Sequence, residues 1–281
     1  MAARDNKTRS PGRIRPGDSP SDKCIRRCVF LMYHELELPG RALVQSEPGY
    51  VRYIISETGF RSQIDWLREN GWRGLSVSEA LQFPAEKSVA ITFDDGCETD
   101  LIAAATILKE AGFHATFYVT ADFLNHPGYM SDAQLRELGS MGFEIGCHSM
   151  THRYLNGLAP NELHHEIVEA RMKLQDIING KVLHFSCPGG RFDDRALDLA
   201  KQTGYLSVAN SRAHANSPST DRFHLGRVAI LRNRNLTSFG RLCEGGGLLR
   251  MRVQDSLRSA VRRTLGNALY DSVRNNLLWR A

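Results

Sequence analysis

Val89-Ala90-Ile91-Thr92-Phe93-Asp94-Asp95-Gly96 is the stretch of sequence that decides the fold. Its first five residues form an apolar run typical of a buried strand, and two adjacent carboxylates and a glycine follow directly. A buried strand ends in this way when its C-terminal tip must hold charge. Two ionised carboxylates side by side repel each other, so we expect a cation or an arginine beside Asp94 and Asp95.

A second motif, His148-Ser149-Met150-Thr151-His152, follows another apolar segment, residues 143–147. Its two imidazoles are four residues apart, so one helical turn would present both to the same ion. Two histidines and one aspartate leave a coordination position open for water, which marks catalytic rather than structural zinc. The two motifs together predict a metal-dependent hydrolase site.

The motifs give the chain a resemblance to the NodB-type polysaccharide deacetylases, carbohydrate esterase family 4. The family's Thr-Phe-Asp-Asp-Gly and His-Ser-x-x-His motifs are present without a mismatch. Residues 115–119 and 141–146 add to the resemblance, which runs from about Val29 to Ile230. Either motif alone arises by chance, but both in this order and at strand ends make a specific match.

The resemblance implies that Asp95, His148 and His152 are the metal ligands and that Asp94 is the general base that activates water. Charge leads to the same division, because a carboxylate bound to a cation is a poor base, whereas its neighbour still accepts a proton. The expected metal is zinc, with cobalt and nickel as the alternatives.

The segment Cys187-Pro188-Gly189-Gly190 matches the family position whose backbone N–H binds the tetrahedral oxyanion. The family usually has an aromatic residue where this chain has Gly189, so the backbone donor survives but the aromatic wall against the sugar does not. The family also often has an arginine that pairs with the base, where this chain has Ser186. Arg191 and Arg227 are the two candidates to supply that charge.

The general acid departs furthest from the family pattern. No Leu-x-His motif follows residue 190, and His214 and His224 are the only histidines there. The apolar segment 29–33 ends in His34 and resembles the N-terminal strand of the circularly permuted biofilm-polysaccharide deacetylases, whose acid comes from that strand. We therefore predict His34 as the general acid. The alternative is a strand-end histidine that only packs.

Three cysteines flank the motifs, namely Cys97, Cys147 and Cys187. This placement raises the alternative of a thiol nucleophile or a thiolate ligand. We favour small buried fillers between the strand and helix layers, since free cysteine is among the most buried residue types.

The rest of the chain alternates helical and strand patterns. Helices are predicted over residues 59–70, 77–83, 101–112, 131–142, 160–180 and 193–204, and strands over 182–185, 205–209 and 224–230. Repeated βα units with polar chemistry at the strand ends predict an α/β fold, an irregular (β/α) barrel with parallel strands.

Composition and length set the domain organisation. The 281 residues are 42% hydrophobic, enough for one large core, which we place in a barrel domain over residues 24–235. Residues 1–23 are rich in Arg, Pro and Ser without an apolar h-region, so we predict a disordered basic tail rather than a Sec signal peptide. Residues 236–281 are predicted to form a C-terminal helical extension.

The segment from Met251 to Ala281 reads as a basic amphipathic helix, bent near Gly266. Its apolar stripe includes Leu257, Val261 and Leu265, and arginines surround it. Two interpretations stand: the helix packs on the barrel exterior, or it lies peripherally on an anionic membrane. The net charge of +5 and the pI near 8.9 fit both. No nucleic-acid partner is expected, because no DNA-reading motif or aromatic platform accompanies the charge.

The sequence therefore predicts a deacetylase that removes N-acetyl groups from amino-sugar units of a polysaccharide or its lipid-linked precursor. The expected location is cytoplasmic, at most peripheral at the inner membrane surface. One alternative is a hydrolase of a non-sugar amide or a formyl group on the same fold. The other is a catalytically silent carbohydrate-binding protein.

Overall fold

The computed structural model describes residues 27–83, 87–257, 260–261 and 264–266. The predicted basic tail, residues 1–23, and the last part of the predicted amphipathic helix, residues 267–281, lie outside this description.

The described part of the chain contains ten strands, and every pair of them is parallel. Their bounds are β1 (Val29–Tyr33), β2 (Leu36–Glu37), β3 (Ile55–Ser56), β4 (Arg73–Leu75), β5 (Ser88–Asp95), β6 (Thr116–Val119), β7 (Glu144–Cys147), β8 (His184–Ser186), β9 (Ser207–Ala209) and β10 (Val228–Ala229).

Helices connect these strands and cover the sheet. Their bounds are α1 (Pro48–Val51), α2 (Glu57–Glu69), α3 (Val77–Ala80), α4 (Thr106–Ala111), α5 (Asp132–Ser140), α6 (Pro160–His164), α7 (Ala170–Ile178), α8 (Asp194–Gln202) and α9 (Leu236–Cys243). Residues 248–257 form a further helix, called the C-terminal helix below.

The main sheet curls into a half-barrel. Its order is β10-β1-β5-β6-β7-β8-β9, and β4 pairs with the first half of β5. At the far edge, Ala209 bridges Leu225 and the chain then continues into β10, which pairs with β1 at Leu31 and Met32. The predicted parallel α/β barrel-like fold is confirmed. Since all the strands are parallel, their C-terminal ends share one rim.

Strand β5 lies at the centre of this sheet and is buried along its whole length. Successive side chains alternate between the two faces. Phe93 therefore stacks on Phe117 in the main core, with ring centroids 5.0 Å apart. Thr92 and Asp94 face the other way and both bond Arg227 inside the barrel.

Several predicted helix signals are confirmed. Ser131 and Gln134 form a capping box at the start of α5, and Asp193 caps α8. Two predicted helices are less regular than expected, because the stretches Asp100–Ala105 and His165–Glu169 are π-helical.

The predicted strand over residues 224–230 is largely wrong. The Asp221 side chain accepts a hydrogen bond from the Phe223 N–H (2.9 Å) and starts a 3₁₀ turn over Arg222–His224. Only Val228 and Ala229 are left to form β10.

Helix α9, the first part of the predicted C-terminal extension, packs onto the barrel domain. The Phe239 ring meets Trp66 of α2 edge-on at 5.9 Å, and Phe239, Leu242 and Cys243 join the main hydrophobic core. In the part of the chain that is described, no helix has both the length and the apolar character needed to cross a bilayer.

Candidate active site

Asp94 and Asp95 end β5 at the C-terminal rim. Neighbouring strand residues normally point to opposite faces, but Asp95 has a left-handed backbone with φ of 80°. The chain turns there, and both carboxylates approach the same imidazole. The Nε2 atom of His148 lies 3.7 Å from an oxygen of Asp94 and 3.7 Å from an oxygen of Asp95.

Arg227 holds Asp94 in a bidentate ion pair. Its Nη1 and Nη2 atoms donate to the two carboxylate oxygens at 2.6 and 2.7 Å, and neither side chain is exposed beyond 3%. Burial alone raises the pKa of Asp94, but the charge of Arg227, and that of His148 in the acid range where it is protonated, outweigh burial and hold that pKa well below its ordinary value. Asp94 is therefore ionised throughout the neutral range.

The same guanidinium also bonds Ser186, the residue that stands where the family often has an arginine. Nη2 of Arg227 donates to Ser186 Oγ at 2.6 Å, and Nη1 donates to Thr92 Oγ1 at 3.2 Å. Of the two arginines proposed as partner of the base, Arg227 makes the pair. The other candidate, Arg191, lies with its guanidinium 3.8 Å from the centre of the Tyr154 ring.

The loop after β7 presents the two histidines, but not as the helical turn that we predicted. Ser149 and His152 both have left-handed backbones, with φ of 70° and 63°, which excludes a helical turn. Ser149 Oγ accepts the His152 N–H at 3.0 Å and shapes the loop. The two imidazole centroids are still only 5.0 Å apart.

Glu166 stabilises this loop by accepting hydrogen bonds from it. Its buried carboxylate accepts the N–H groups of Met150 and Thr151 at 3.1 and 2.9 Å and also the Thr151 hydroxyl. Sequence reasoning missed Glu166, because a carboxylate inside an amphipathic helix has no local signature of a buried anchor.

A hydrogen bond at Nδ1 orients the His148 ring, so that Nε2 is the nitrogen available to bind a metal. Nδ1 lies 2.9 Å from the Ser186 carbonyl oxygen, so Nδ1 carries the proton and Nε2 keeps a lone pair toward the aspartates. Burial lowers the pKa of His148 to about 4, against the opposing effect of Asp94. The imidazole is therefore neutral at neutral pH, as a metal ligand must be.

Asp95, His148 and His152 together fit a divalent cation. One ligand atom from each lies within 4.8 Å of the others. The Asp95 Oδ1 atom is buried and has no hydrogen-bond partner among the described residues, which is costly for a carboxylate unless a cation is bound. Burial first, and then the charges of Asp95, Asp94 and Glu35, raise the pKa of the nearby Asp100 well above its usual value. Several carboxyl groups are thus concentrated here, and a bound cation would reduce the repulsion between them.

The predicted oxyanion segment forms a 3₁₀ turn over Pro188–Gly190 directly after β8. The N–H groups of Gly190 and Arg191 are used within the turn, by the carbonyls of Cys187 and Pro188. Gly189 has φ of 58°, which favours glycine. Its peptide N–H remains the proposed oxyanion donor.

His34 follows the last residue of β1, and Tyr33 is in register with Phe93. His34 is therefore level with Asp94 on the rim, and its charge is among those that lower the pKa of Asp94. The Nδ1 atom of His34 is buried and has no partner in the described structure, and its ring lies 5.2 Å from that of Tyr53.

The two alternative histidines are engaged elsewhere. His224 forms an ion pair with Asp221 at 2.8 Å on the surface. His214 lies against Gly226, where an added Cβ would be 2.2 Å from its Nδ1.

The three cysteines beside the motifs are all buried. Burial raises the pKa of Cys147 to about 12 and raises the pKa values of Cys97 and Cys187 as well. These thiols are protonated at neutral pH, which disfavours a thiolate nucleophile.

The comparison with protein families agrees with this geometry. Residues 82–208 match the family described as polysaccharide deacetylase, and this range contains both aspartates and both histidines of the site. Over these residues the chain is therefore similar to polysaccharide deacetylases, in agreement with its resemblance to the NodB type, carbohydrate esterase family 4.

Curated relatives extend the similarity. The Bacillus subtilis (strain 168) protein YxkH is 28% identical over 76% of this chain and 75% of its own length. A peptidoglycan-N-acetylglucosamine deacetylase of Bacillus cereus is 31% identical over 44% of this chain and 56% of that protein. A poly-beta-1,6-N-acetyl-D-glucosamine N-deacetylase of Staphylococcus aureus (strain MRSA252) is 25% identical over 63% and 68%.

Solved structures share the fold. The Streptococcus pyogenes deacetylase PplD superposes with a TM-score of 0.70 at 22% identity, covering 77% of this chain and 98% of that one. IcaB from Ammonifex degensii gives a TM-score of 0.65 at 24% identity, covering 78% and 96%.

Proposed function

We propose that this chain is a metal-dependent deacetylase that hydrolyses N-acetyl groups on amino-sugar units of a polysaccharide or its lipid-linked precursor. The observation that carries the proposal is the pairing of two elements: a three-ligand set from Asp95, His148 and His152, and an ionised Asp94 clamped beside it by Arg227. The ligand set suits a cation that keeps one coordination position open for water. The clamped Asp94 suits a general base that is held in one position.

Asp94 accepts the proton that water loses as it attacks the acetyl carbonyl. Since Arg227 bonds both carboxylate oxygens, the Asp94 rotamer is fixed and needs no reorganisation during the reaction. A carboxylate paired with arginine is a weak base, so the reaction needs the two effects that a bound divalent cation supplies, a more acidic water and a polarised carbonyl.

Two other groups complete the reaction. The Gly189 N–H donates to the oxyanion of the tetrahedral intermediate. His34, at the end of the neighbouring strand β1, gives a proton to the amine nitrogen as the carbon–nitrogen bond breaks. The products are acetate and the free amino sugar.

The names of the relatives support the substrate class. One is a deacetylase of N-acetylglucosamine in peptidoglycan, and another acts on poly-beta-1,6-N-acetyl-D-glucosamine. The intact set of Asp94, Asp95, His148 and His152 disfavours a catalytically silent carbohydrate-binding protein. Hydrolysis of a non-sugar amide or a formyl group is the competing proposal.

The test is acetate release by the purified chain after chelation and reconstitution with zinc, cobalt or nickel. The substrate panel contains N-acetylglucosamine oligomers of different linkage, peptidoglycan fragments and simple N-acetyl and N-formyl amides. We expect release from a glycan only after a metal is restored. Turnover confined to the non-sugar amides would favour the competing proposal, and activity unaffected by chelation would contradict a metal-dependent site.

The C-terminal helix is the basis of a second proposal, that the chain binds the surface of an anionic membrane. Leu248 and Met251 contact the main core, and the Ala213 N–H donates to Asp255 at 3.2 Å. Leu249 and Val253 lie on the side turned away from these contacts.

The exposed side of this helix carries Leu249, Val253 and Leu257, which are spaced four residues apart and are 52–76% exposed. Val261 and Leu265 continue the same spacing in the sequence and are 48% and 38% exposed. Packing on the barrel does not account for these residues. Because Arg250 and Arg252 are also exposed, the surface combines apolar and cationic groups, as helices that lie on anionic lipids do.

A further inference from the structure

Tyr154 stands two residues after the ligand His152 and packs against the oxyanion turn. A Cβ added at Gly189 would lie 2.8 Å from Tyr154 Cε1, closer than real Cβ atoms approach. The Tyr154 ring therefore occupies the space that a side chain at position 189 would take. It is an aromatic group beside the carbonyl-binding N–H, supplied by a different loop.

The ring is held in place by Arg191. The guanidinium carbon of Arg191 lies 3.8 Å from the ring centroid, a close cation–π contact, and Arg191 is only 5% exposed. The Leu155 N–H also donates to the Arg191 carbonyl at 3.0 Å. These contacts join the histidine loop and the oxyanion turn, so the position of the ring is fixed relative to both.

Tyr154 is nevertheless half-exposed, as are two other aromatic residues that border the site. The Phe123 ring centroid lies 5.8 Å from that of His152, and Tyr53 lies 5.2 Å from His34. Among these, Tyr154 is the one fixed against the oxyanion turn. A rigid aromatic ring presents a large apolar surface at low entropic cost, which suits the C–H face of a sugar ring.

We propose that Tyr154 is a specificity-determining residue, whose ring packs against the sugar unit that carries the acetyl group and aims its carbonyl at the Gly189 N–H. This inference rests on the proposed deacetylase function. Arg191 acts as its positioning residue, through the cation–π contact. The interaction is made by the apolar ring, so the Tyr154 hydroxyl is dispensable.

The test compares Tyr154→Phe with Tyr154→Leu, using acetate release from an N-acetylglucosamine oligomer by the metal-reconstituted protein. We expect Tyr154→Phe to stay within about 2-fold of wild type. We expect Tyr154→Leu to lose about 10-fold or more in kcat/KM with unchanged metal content. Phe223→Leu is the matched control, because Phe223 is also a half-exposed aromatic residue with a cation, Lys201, over its ring at 5.2 Å.

Binding gives a readout that is independent of turnover. In an Asp94→Asn background, calorimetry with the same oligomer should show weaker binding for Tyr154→Leu and no change for Tyr154→Phe. Equal kcat/KM and equal affinity in wild type and Tyr154→Leu would overturn the proposal, as would loss of metal in Tyr154→Leu, which would make the residue a support of the ligand loop. Failure of the proposed function is distinguishable, because the wild type itself would then release no acetate from any glycan.

Discussion

The Asp94 carboxylate and the Arg227 guanidinium form a fully buried bidentate ion pair, although the two residues are 133 positions apart in the chain. Asp94 ends the central strand, and Arg227 directly precedes the last strand. They come together because β10 pairs with β1, and β1 pairs in turn with β5. The pair fixes both the protonation state and the rotamer of the proposed base.

The first prediction concerns the charge on Arg227. Replacing it in Arg227→Gln removes the main effect that lowers the pKa of Asp94, and burial then raises that pKa. Since Asp94 acts in its ionised form, the acidic limb of the pH profile of kcat/KM should move to higher pH. Arg191→Gln is the control and should leave that limb in place. An unmoved limb in Arg227→Gln would contradict the pairing.

The same substitution should also reduce stability. Removing one partner of a buried ion pair leaves an uncompensated charge and costs about 3–5 kcal/mol. Arg227→Lys retains a charge but not the planar fork, so we expect it to lie between wild type and Arg227→Gln in denaturant unfolding of the metal-free protein.

The second prediction concerns the general acid. His34→Ala should keep its metal, lower kcat by about 10²–10⁴-fold and lose the basic limb of the pH–rate profile. His224→Ala, which removes only a surface ion pair, should behave like wild type. Near-normal turnover in His34→Ala, with a large loss in His214→Ala or His224→Ala, would return the acid to the C-terminal end of the domain.

The third prediction concerns the anchor of the histidine loop. Glu166→Gln replaces a carboxylate that accepts two loop N–H groups, and it should weaken metal affinity by about 10–100-fold, as loss of outer-shell support does. Glu169→Gln lies on the same helical segment but bonds only exposed histidines, and should leave affinity unchanged. Equal affinities in the two variants, measured by competition with a chelator, would show that Glu166 does not position the ligands.

The fourth prediction concerns the C-terminal helix. The wild-type chain should sediment with vesicles of equimolar phosphatidylglycerol and phosphatidylcholine, and much less with phosphatidylcholine alone. The double substitution Val253→Asp and Leu257→Asp should weaken this binding about 10-fold or more, while acetate release from a soluble oligomer is retained. Met172→Asp, at a 57% exposed position on α7, is the control.

Two results would contradict the membrane proposal. One is equal sedimentation of the wild type and the double variant. The other is a concentration-dependent dimer that the double substitution dissociates, without vesicle binding, because the stripe would then contact a second copy of the chain.

The fold, and the grouping of Asp95, His148 and His152 at one site, were predictable because their signals are local. The apolar run before Asp94 marks a buried strand, and the paired aspartates and spaced histidines carry their chemistry in their residue types. The pairing of Arg227 rather than Arg191 with Asp94 was not predictable, since it depends on where the barrel closes. The helical turn predicted for the histidine motif is wrong, because Ser149 and His152 have left-handed backbones. Hydrogen bonds to the buried Glu166 carboxylate and to Ser149 Oγ stabilise this loop, and the motif alone does not reveal them.

The most direct test of the central assignment measures metal content and acetate release on the same preparations of wild type, His148→Ala, His152→Ala and Asp94→Asn. We predict that the two histidine variants lose tightly bound metal and activity together. We predict that Asp94→Asn keeps its metal and loses activity by about 10²-fold or more. Full metal occupancy in both histidine variants, or loss of metal from Asp94→Asn, would contradict the account.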